Sequence, residues 1–311
     1  MSDKPPISER GAWSLAWQRF RHHKLAMASA ALLIVLAVLS AVAPLFEIMF
    51  GIDASRVDLL HRFTLPTADA WLGRDELGRD VFVRMLYGGQ VSLLVGAVTA
   101  IAAAVIGTMV GLAAAYRGGW LDALLMRFTD AVIALPFLPL LIVLAAIDLN
   151  KLGIPPALIN SELISLYRII FIVALVGWTT SARLVRGAAL SIRERDFVLA
   201  ARAQGASAWR IMGVHILPNL VSPIIVATTL SAGKIILLES VLSFLGLGIQ
   251  PPVASWGNQL TNAQELIYSA PQLAFFPGIA IFVTVIAFNF LGDGLQDALD
   301  PKSVSHASTG R

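Results

Sequence analysis

The sequence has no cysteine in its 311 residues. Disulfides, thiolate metal sites and a cysteine nucleophile are therefore excluded, while the redox compartment stays undetermined. Charge is also scarce: 14% of residues are Asp, Glu, Lys or Arg, against about 25% in a soluble domain. A net charge of +3 is too small to argue for nucleic acid. No Gly-x-x-x-x-Gly-Lys-Ser/Thr loop is present, because Gly233-Lys234 lacks the upstream glycine and sits in an apolar run. ATP is not expected to bind by that route. The five histidines form no His-Glu-x-x-His pattern, and His22-His23 reads as an interfacial anchor in a basic flank rather than a metal site. With no constellation of nucleophile, base and orienting group, catalysis is not expected and no metal or cofactor is assigned.

What fills the chain instead is apolar sequence: 57% of it is hydrophobic, with a mean hydropathy of +0.76. A membrane helix needs about 20 predominantly apolar residues. Six segments qualify, Leu25–Phe46, Val91–Ala115, Leu125–Ile147, Ile164–Leu184, Leu220–Leu245 and Leu273–Leu291. The expected fold is all-α, a polytopic membrane protein of six transmembrane helices. Six spans put both termini on one side, and the basic residues choose it. With the termini cytoplasmic, inner segments hold 15 Lys and Arg, including Lys4, Arg10, Lys302 and Arg311, and outer segments hold 7. That asymmetry obeys the positive-inside rule. The first span has a basic flank and an Ala41-Val42-Ala43 triplet. Its 19 residues from Leu25 to Ala43 exceed the core of a signal peptide, usually about 7–15 residues, so it is read as an uncleaved helix.

The organisation that follows is a cytoplasmic segment 1–24, a first span 25–46, an extracytoplasmic segment 47–90, a five-helix core 91–295 and a cytoplasmic tail 296–311. Tails Met1–Glu9 and Ser303–Arg311 are expected to be loose. Segment 47–90 carries seven acidic and five basic residues, with the glycine- and charge-rich run Trp71–Asp80. Gly246–Gln272 is a second external loop, with one charge, Glu265, and the pair Pro251-Pro252. Gly107-x-x-x-Gly111, and Gly96 with Ala100, provide small residues for close helix contact. Pro136 and Pro139 are expected to kink the third span, the alternative being a break that opens a cavity. Lys234 and Glu239 lie inside the fifth span. A charge at mid-bilayer costs about 2.5–3.5 kcal/mol on insertion scales, so both should face protein or water. Five residues apart, they point about 140° from one another on an ideal helix. They either line a solute path or pair with neighbouring helices.

Loop 193–219 is the least ordinary stretch. It interrupts two apolar runs with the pattern of two short amphipathic helices around a glycine. Phe197, Ala200, Ala201 and Gln204 share one helical face. Gly205 suits a left-handed helix end, and Ser207 can cap a second helix with Trp209, Met212, Gly213 and Ile216 on one side. Such an element suits capture by another protein.

These residues carry a resemblance. Leu199-Ala-Ala-x-x-x-Gly205 followed by Ile216-Leu-Pro218 resembles the EAA loop of bacterial ABC-importer permeases. Leu72–Val81, Glu239–Gly248 with Ser255-Trp-Gly257, and Asn289–Pro301 resemble the dipeptide/oligopeptide (peptide/nickel) branch, second-permease type. The resemblance implies a type I importer permease fold in the bacterial inner membrane. The chain would be a non-catalytic permease subunit, forming half of a pathway for di- or oligopeptides; nickel, an opine or a glycoside are alternative cargoes, and a stand-alone secondary transporter or channel is a more distant reading. Implied partners are a paralogous second permease, two cytoplasmic ATPases that hold the ATP and Mg, and an extracytoplasmic solute-binding protein. Phe197, Ala200, Ala201, Arg202, Gly205, Ser207, Trp209 and Arg210 would then dock on the ATPase. Two positions depart from the family pattern: Leu199 stands where its namesake glutamate would be, and His215 replaces a common isoleucine. Arg202, Arg210, Glu194 and Asp196 are the nearby charges left to substitute for that acid.

Overall fold

A computed structural model describes residues 12–299 apart from Ile154 and Asn160. Both expected loose tails, with Lys4, Arg10, Lys302 and Arg311, lie outside the described residues. Among those described, the regular structure is helical, with two isolated β-bridges.

The amino-terminal part comprises α1 (Ala12–His22), α2 (Lys24–Ala41) and α3 (Ala43–Phe50). The first apolar run is thus two helices rather than one. Pro44 stands in the first turn of α3, and its ring clashes with the carbonyl four residues back, so α2 ends near Ser40. Next comes α4 (Val81–Arg117), about 55 Å long at 1.5 Å per residue. It begins ten residues before the apolar run at Val91, because Asp80 caps it: its Oδ1 accepts from the Val83 N–H at 3.0 Å. Burial pushes the Asp80 carboxyl above the usual carboxylate range, against the pull of the Val83 and Phe82 N–H groups.

The third apolar run is not a kinked helix. It breaks into α5 (Gly119–Ala134) and α6 (Phe137–Ala146), which meet at 86°. Pro136 forces Leu135 out of the helical region, to φ −73° and ψ 139°, as expected of a residue before proline. With ten residues, α6 spans only about 15 Å, half of a hydrocarbon core about 30 Å thick. A short α7 (Pro156–Ile159) precedes α8 (Ile164–Arg193), which extends nine residues past the apolar run. Then follow α9 (Asp196–Ala203), α10 (Ala208–Arg210), a π-helical stretch Ile211–Ile216, α11 (Leu217–Phe244), α12 (Ala263–Leu266) and α13 (Gln272–Leu299). Among the described residues, five continuous helices are long and apolar enough to cross a membrane, or six spans if α5 and α6 count as one.

Helix α4 is the axis of the packing, and its glycines are the reason. A Cβ at Gly107 would lie 2.6 Å from the Trp178 carbonyl oxygen of α8, and Gly111 meets the Ala182 backbone one turn on. Gly96 lies against Ile236 and Ala232 of α11. Without side chains at these points the backbones approach to a distance that lets dispersion act, the main attraction available between helices in lipid. Gly294 of α13 sits against Ala26 of α2 by the same device.

The segment between α3 and α4 is a knot built on Asp75. Its Oδ1 accepts from the Leu77 and Arg79 N–H groups, both at 2.9 Å, and its Oδ2 from Arg79 Nε at 2.8 Å. Gly73 and Gly78 have φ of +78° and +76°, the left-handed region that glycine enters freely. The Asp58 N–H bonds to the Leu77 carbonyl at 2.9 Å, and its carboxyl is held below the usual range by the hydrogen bond with His61. Aromatic contacts among Phe46, Phe50, Trp71 and Phe82 tie α3 and the knot to the start of α4.

Candidate functional site: the 193–219 projection

The projection is anchored by charge at its root. Arg186 of α8 clamps Asp122 of α5 with two bonds, Nε to Oδ1 at 2.5 Å and Nη2 to Oδ2 at 2.6 Å. Arg183 pairs with Asp130 one turn earlier. Arg193 donates through Nη1 to the Ala115 carbonyl at the end of α4, at 2.7 Å. Its Nε meets Glu194 at 3.1 Å.

From there the chain turns back as α9. Its end has both hydrogen bonds of a Schellman cap: Ala206 N to Ala201 O at 3.1 Å, and Gly205 N to Arg202 O at 3.0 Å. That cap needs a left-handed residue after the helix, and Gly205 supplies it at φ +80°. Ser207 then opens α10, its Oγ accepting from the Arg210 N–H at 3.4 Å. The second element is not an isolated helix. It runs through the π stretch into α11, so that Ala208–Phe244 forms one continuous helical segment. Pro218 explains the widened turn: it has no N–H for the Val214 carbonyl and its ring collides there. The Leu217 N–H bonds instead to Met212 O, five residues back, a π-type closure.

This geometry redistributes the faces read from the sequence. Val198, Ile211 and Ile216 turn inward, onto Ala115, Val185, Ala189 and Leu220, and Ala201 is buried as well. Ala201, only 9% exposed, is thus part of the hairpin's own packing. Phe197, Ala200, Arg202, Gln204, Gly205, Ser207, Trp209 and Arg210 are exposed. Trp209, at 82%, is far more open than Phe197, at 46%. Periodicity joined Ala201 to Phe197 because it ignored Val198, whose larger apolar side chain gains more from burial. It joined Ile216 to Trp209 because the π turn shifts the phase of all that follows. The guanidinium of Arg202 lies over the Tyr116 ring at 5.9 Å, so its charge is tied to α4. Asp196 and Arg210 are exposed near the two ends of the hairpin, Asp196 beside the exposed Glu194 and Arg195.

Lys234 and Glu239 point to different surroundings. Lys234 is exposed on α11. Glu239 is 0% exposed and presents no surface to a path in this conformation. Ser243 Oγ donates to its Oε1 at 2.7 Å and Ser92 Oγ of α4 to its Oε2 at 3.1 Å. Both hydroxyls are used twice: Ser92 Oγ accepts the Trp256 N–H at 3.2 Å, and Ser243 Oγ that of Ile249 at 3.0 Å. The carboxylate therefore joins α4, α11 and the loop after α11. Gly257 closes the same knot, since a Cβ there would be 2.6 Å from Ser240 Cα. Trp256 is buried and bonds through Nε1 to the Met85 carbonyl at 2.9 Å. Ser243, four residues after Glu239, had the right helical spacing to be found; Ser92, 147 residues away, did not.

Glu239→Ala is expected to lower stability by about 3 kcal/mol, through a cavity and orphaned hydroxyls. Glu239→Gln keeps an acceptor and should lose much less. Thermal melts of the solubilised complex check this, and equal midpoints for the two variants would contradict a joint built on the carboxylate.

The chain is similar to known proteins over most of its length. The family model for the binding-protein-dependent transport system inner membrane component matches residues 103–304. The N-terminal TM domain of oligopeptide transport permease C matches residues 11–55. The dipeptide transport system permease protein DppC of Alkalihalophilus pseudofirmus is 39% identical over 293 residues, covering 94% of this chain and 91% of the relative. DppC of Bacillus subtilis is 41% identical over 288 residues, 92% of this chain and 85% of the relative. The glutathione transport system permease protein GsiD of Pectobacterium atrosepticum is 39% identical over 296 residues, covering 95% and 93%. By the breadth of these matches, this chain belongs to the family of binding-protein-dependent transport system inner membrane components.

Proposed function

We propose that the chain is one permease subunit of an ATP-driven importer of di- and oligopeptides in the bacterial inner membrane. The observation that carries the coupling role is the 193–219 projection. It is an ordered hairpin with its apolar underside packed on the chain itself, and with Phe197, Leu199 and Trp209 left outward. Exposed aromatic residues on an ordered, pre-formed element are typical anchors of protein interfaces. The partners that match this hairpin are two cytoplasmic ATPases, which bring the ATP and Mg that this chain has no loop to hold. A second permease completes the pathway, and an extracytoplasmic binding protein delivers the cargo.

ATP-driven closure of the ATPases would carry the hairpins and rock the spans between two access states, a rigid-body transition of a bistable assembly. Since Leu199 replaces the family's acid, docking rests on shape and apolar contact more than on an ion pair. Lys234 fits the same scheme. An exposed ammonium within a span is costly in lipid, so that face of α11 meets the second permease or the solute path.

Reconstitution of the chain with its second permease, ATPases and binding protein tests the reading: uptake of a labelled dipeptide should require ATP. Transport by this chain alone, with no ATPase present, would falsify the proposal in favour of a secondary transporter or channel. Trp209→Ala should reduce uptake about tenfold, the loss of roughly 1.4 kcal/mol at one interface anchor. Membrane insertion, read by protease protection, should not change.

A further inference from the structure

A cavity of about 310 Å³ lies where the Asp75 knot meets the loop after α11, with Arg84, Asp75, Arg79, Glu76, Gln250 and Asn262 among its walls. Its volume is at the lower end of small-molecule sites, which run from about 300 to 1,000 Å³. Arg84 is 31 positions from Ala115 along α4, where Arg193 roots the projection. At 1.5 Å per residue that is about 45 Å, more than a hydrocarbon core. The cavity and the ATPase-docking hairpin therefore belong to opposite membrane faces.

Arg79 and Arg84 line it together with Asp75 and Glu76, equal in number but unevenly paired. The Arg84 side chain is 7% exposed, and its Nε lies 3.5 Å from Asp75 Oδ2. Asp75 is already committed to Arg79 and to two backbone N–H groups. Among the described residues, no hydrogen bond is formed by the Arg84 guanidinium at ordinary distance. A guanidinium has five donors in a planar fork that matches a carboxylate in a bidentate pair. Such a group at nine-tenths burial shares the saturated Asp75 with Arg79 and keeps donors to spare. Glu76, half-buried in the same cavity, accepts one long hydrogen bond, from the Asn262 amide at 3.5 Å, and can accept from an ammonium. A buried cation and a second, weakly engaged acid in one small concave site match a short zwitterion.

We propose that this cavity is a substrate subsite on the face opposite the projection, where Arg84 takes the free carboxyl terminus of a short peptide. The assignment rests on the peptide-importer reading. An acidic side chain of a docking protein offers the same carboxylate chemistry. The concave shape, the small volume and the presence of Glu76 favour the small zwitterion.

The test uses the assembled permease–ATPase complex in nanodiscs without its binding protein, titrated with Ala-Ala and with its carboxyl-terminal amide by saturation-transfer NMR. On the wild-type complex the amide should bind at least tenfold more weakly than the free acid. This comparison does not depend on any variant folding. Arg84→Gln should weaken Ala-Ala binding at least tenfold, and Arg84→Lys by less, because the charge survives without the fork. Equal affinity for acid and amide would overturn the proposal. So would undetectable Ala-Ala binding accompanied by a tenfold loss of binding-protein affinity in Arg84→Gln, which would assign the site to a protein carboxylate. If the complete wild-type importer moves no dipeptide while Ala-Ala still binds through Arg84, the transport reading fails and the subsite stands. If dipeptide uptake is normal but amidation does not change binding, the subsite fails and the transport reading stands.

Discussion

Gly205→Pro is expected to abolish ATP-driven uptake and to lose the ATPases on co-purification, while the chain still inserts into the membrane. Proline is locked near φ −65°, and the Schellman cap of α9 requires φ +80° at this position. The whole reversal between α9 and α10 would have to be rebuilt, at a cost above about 3 kcal/mol. Gly205→Ala separates backbone conformation from bulk. No atom lies within 4 Å of a Cβ built there, so alanine meets only the left-handed strain of about 1–2 kcal/mol. Its uptake should fall between wild type and the proline variant. Uptake by Gly205→Pro within twofold of wild type would remove the hairpin from the coupling path.

The second large effect concerns the axis of the bundle. Gly107→Leu should prevent α4 and α8 from closing, since even a Cβ would meet the Trp178 carbonyl and the Ser181 side chain at 2.6 Å. A carbonyl inside a helix cannot swing aside as a side chain can. Overpacking of this kind typically costs about 1–3 kcal/mol, with leucine at the upper end, and a fall in melting temperature on the order of 10 °C should follow. Size-exclusion profiles of the heated, solubilised complex measure it. Gly187→Ala in α8 is the control: nothing lies within 4 Å of its Cβ, so exchanging glycine for a better helix former should be neutral or slightly favourable. Equal midpoints for the Gly107 and Gly187 variants would refute close packing at the glycine pair.

Much of this architecture was legible because it is local. The Gly107-x-x-x-Gly111 spacing, the Gly205 reversal and the Ser207 cap each use residues within a few positions of one another. The limits appear where distance along the chain is large or where two local effects compete. Leu135 before Pro136 converts an expected kink into a right-angled break, and nothing in the apolar run shows which outcome tertiary packing selects. Val198 and the π turn ahead of Pro218 reassign the faces of the projection, so Ala201 leaves the exposed surface for the interior. Glu239 was visible as an anomaly within its span, but its partner Ser92 and the Trp256 loop became neighbours only on folding. Arg84 is one of five basic residues in segment 47–90, and only folding brings it and Arg79 to the same acid, Asp75.

The unbroken course of Ala208–Phe244 has a mechanical corollary. Trp209 stands near one end of this segment and the Glu239 joint near the other, with the wide turn Ile211–Ile216 between them as the section least like a regular helix. A displacement imposed at the tryptophan can be transmitted along a single strut. The wider turn can absorb twist before the load reaches Glu239. Stiffening that turn, as Pro218→Ala would do by restoring an ordinary N–H at position 218, should therefore change the timing between ATP hydrolysis and opening of the far side, even where neither end of the strut has been altered.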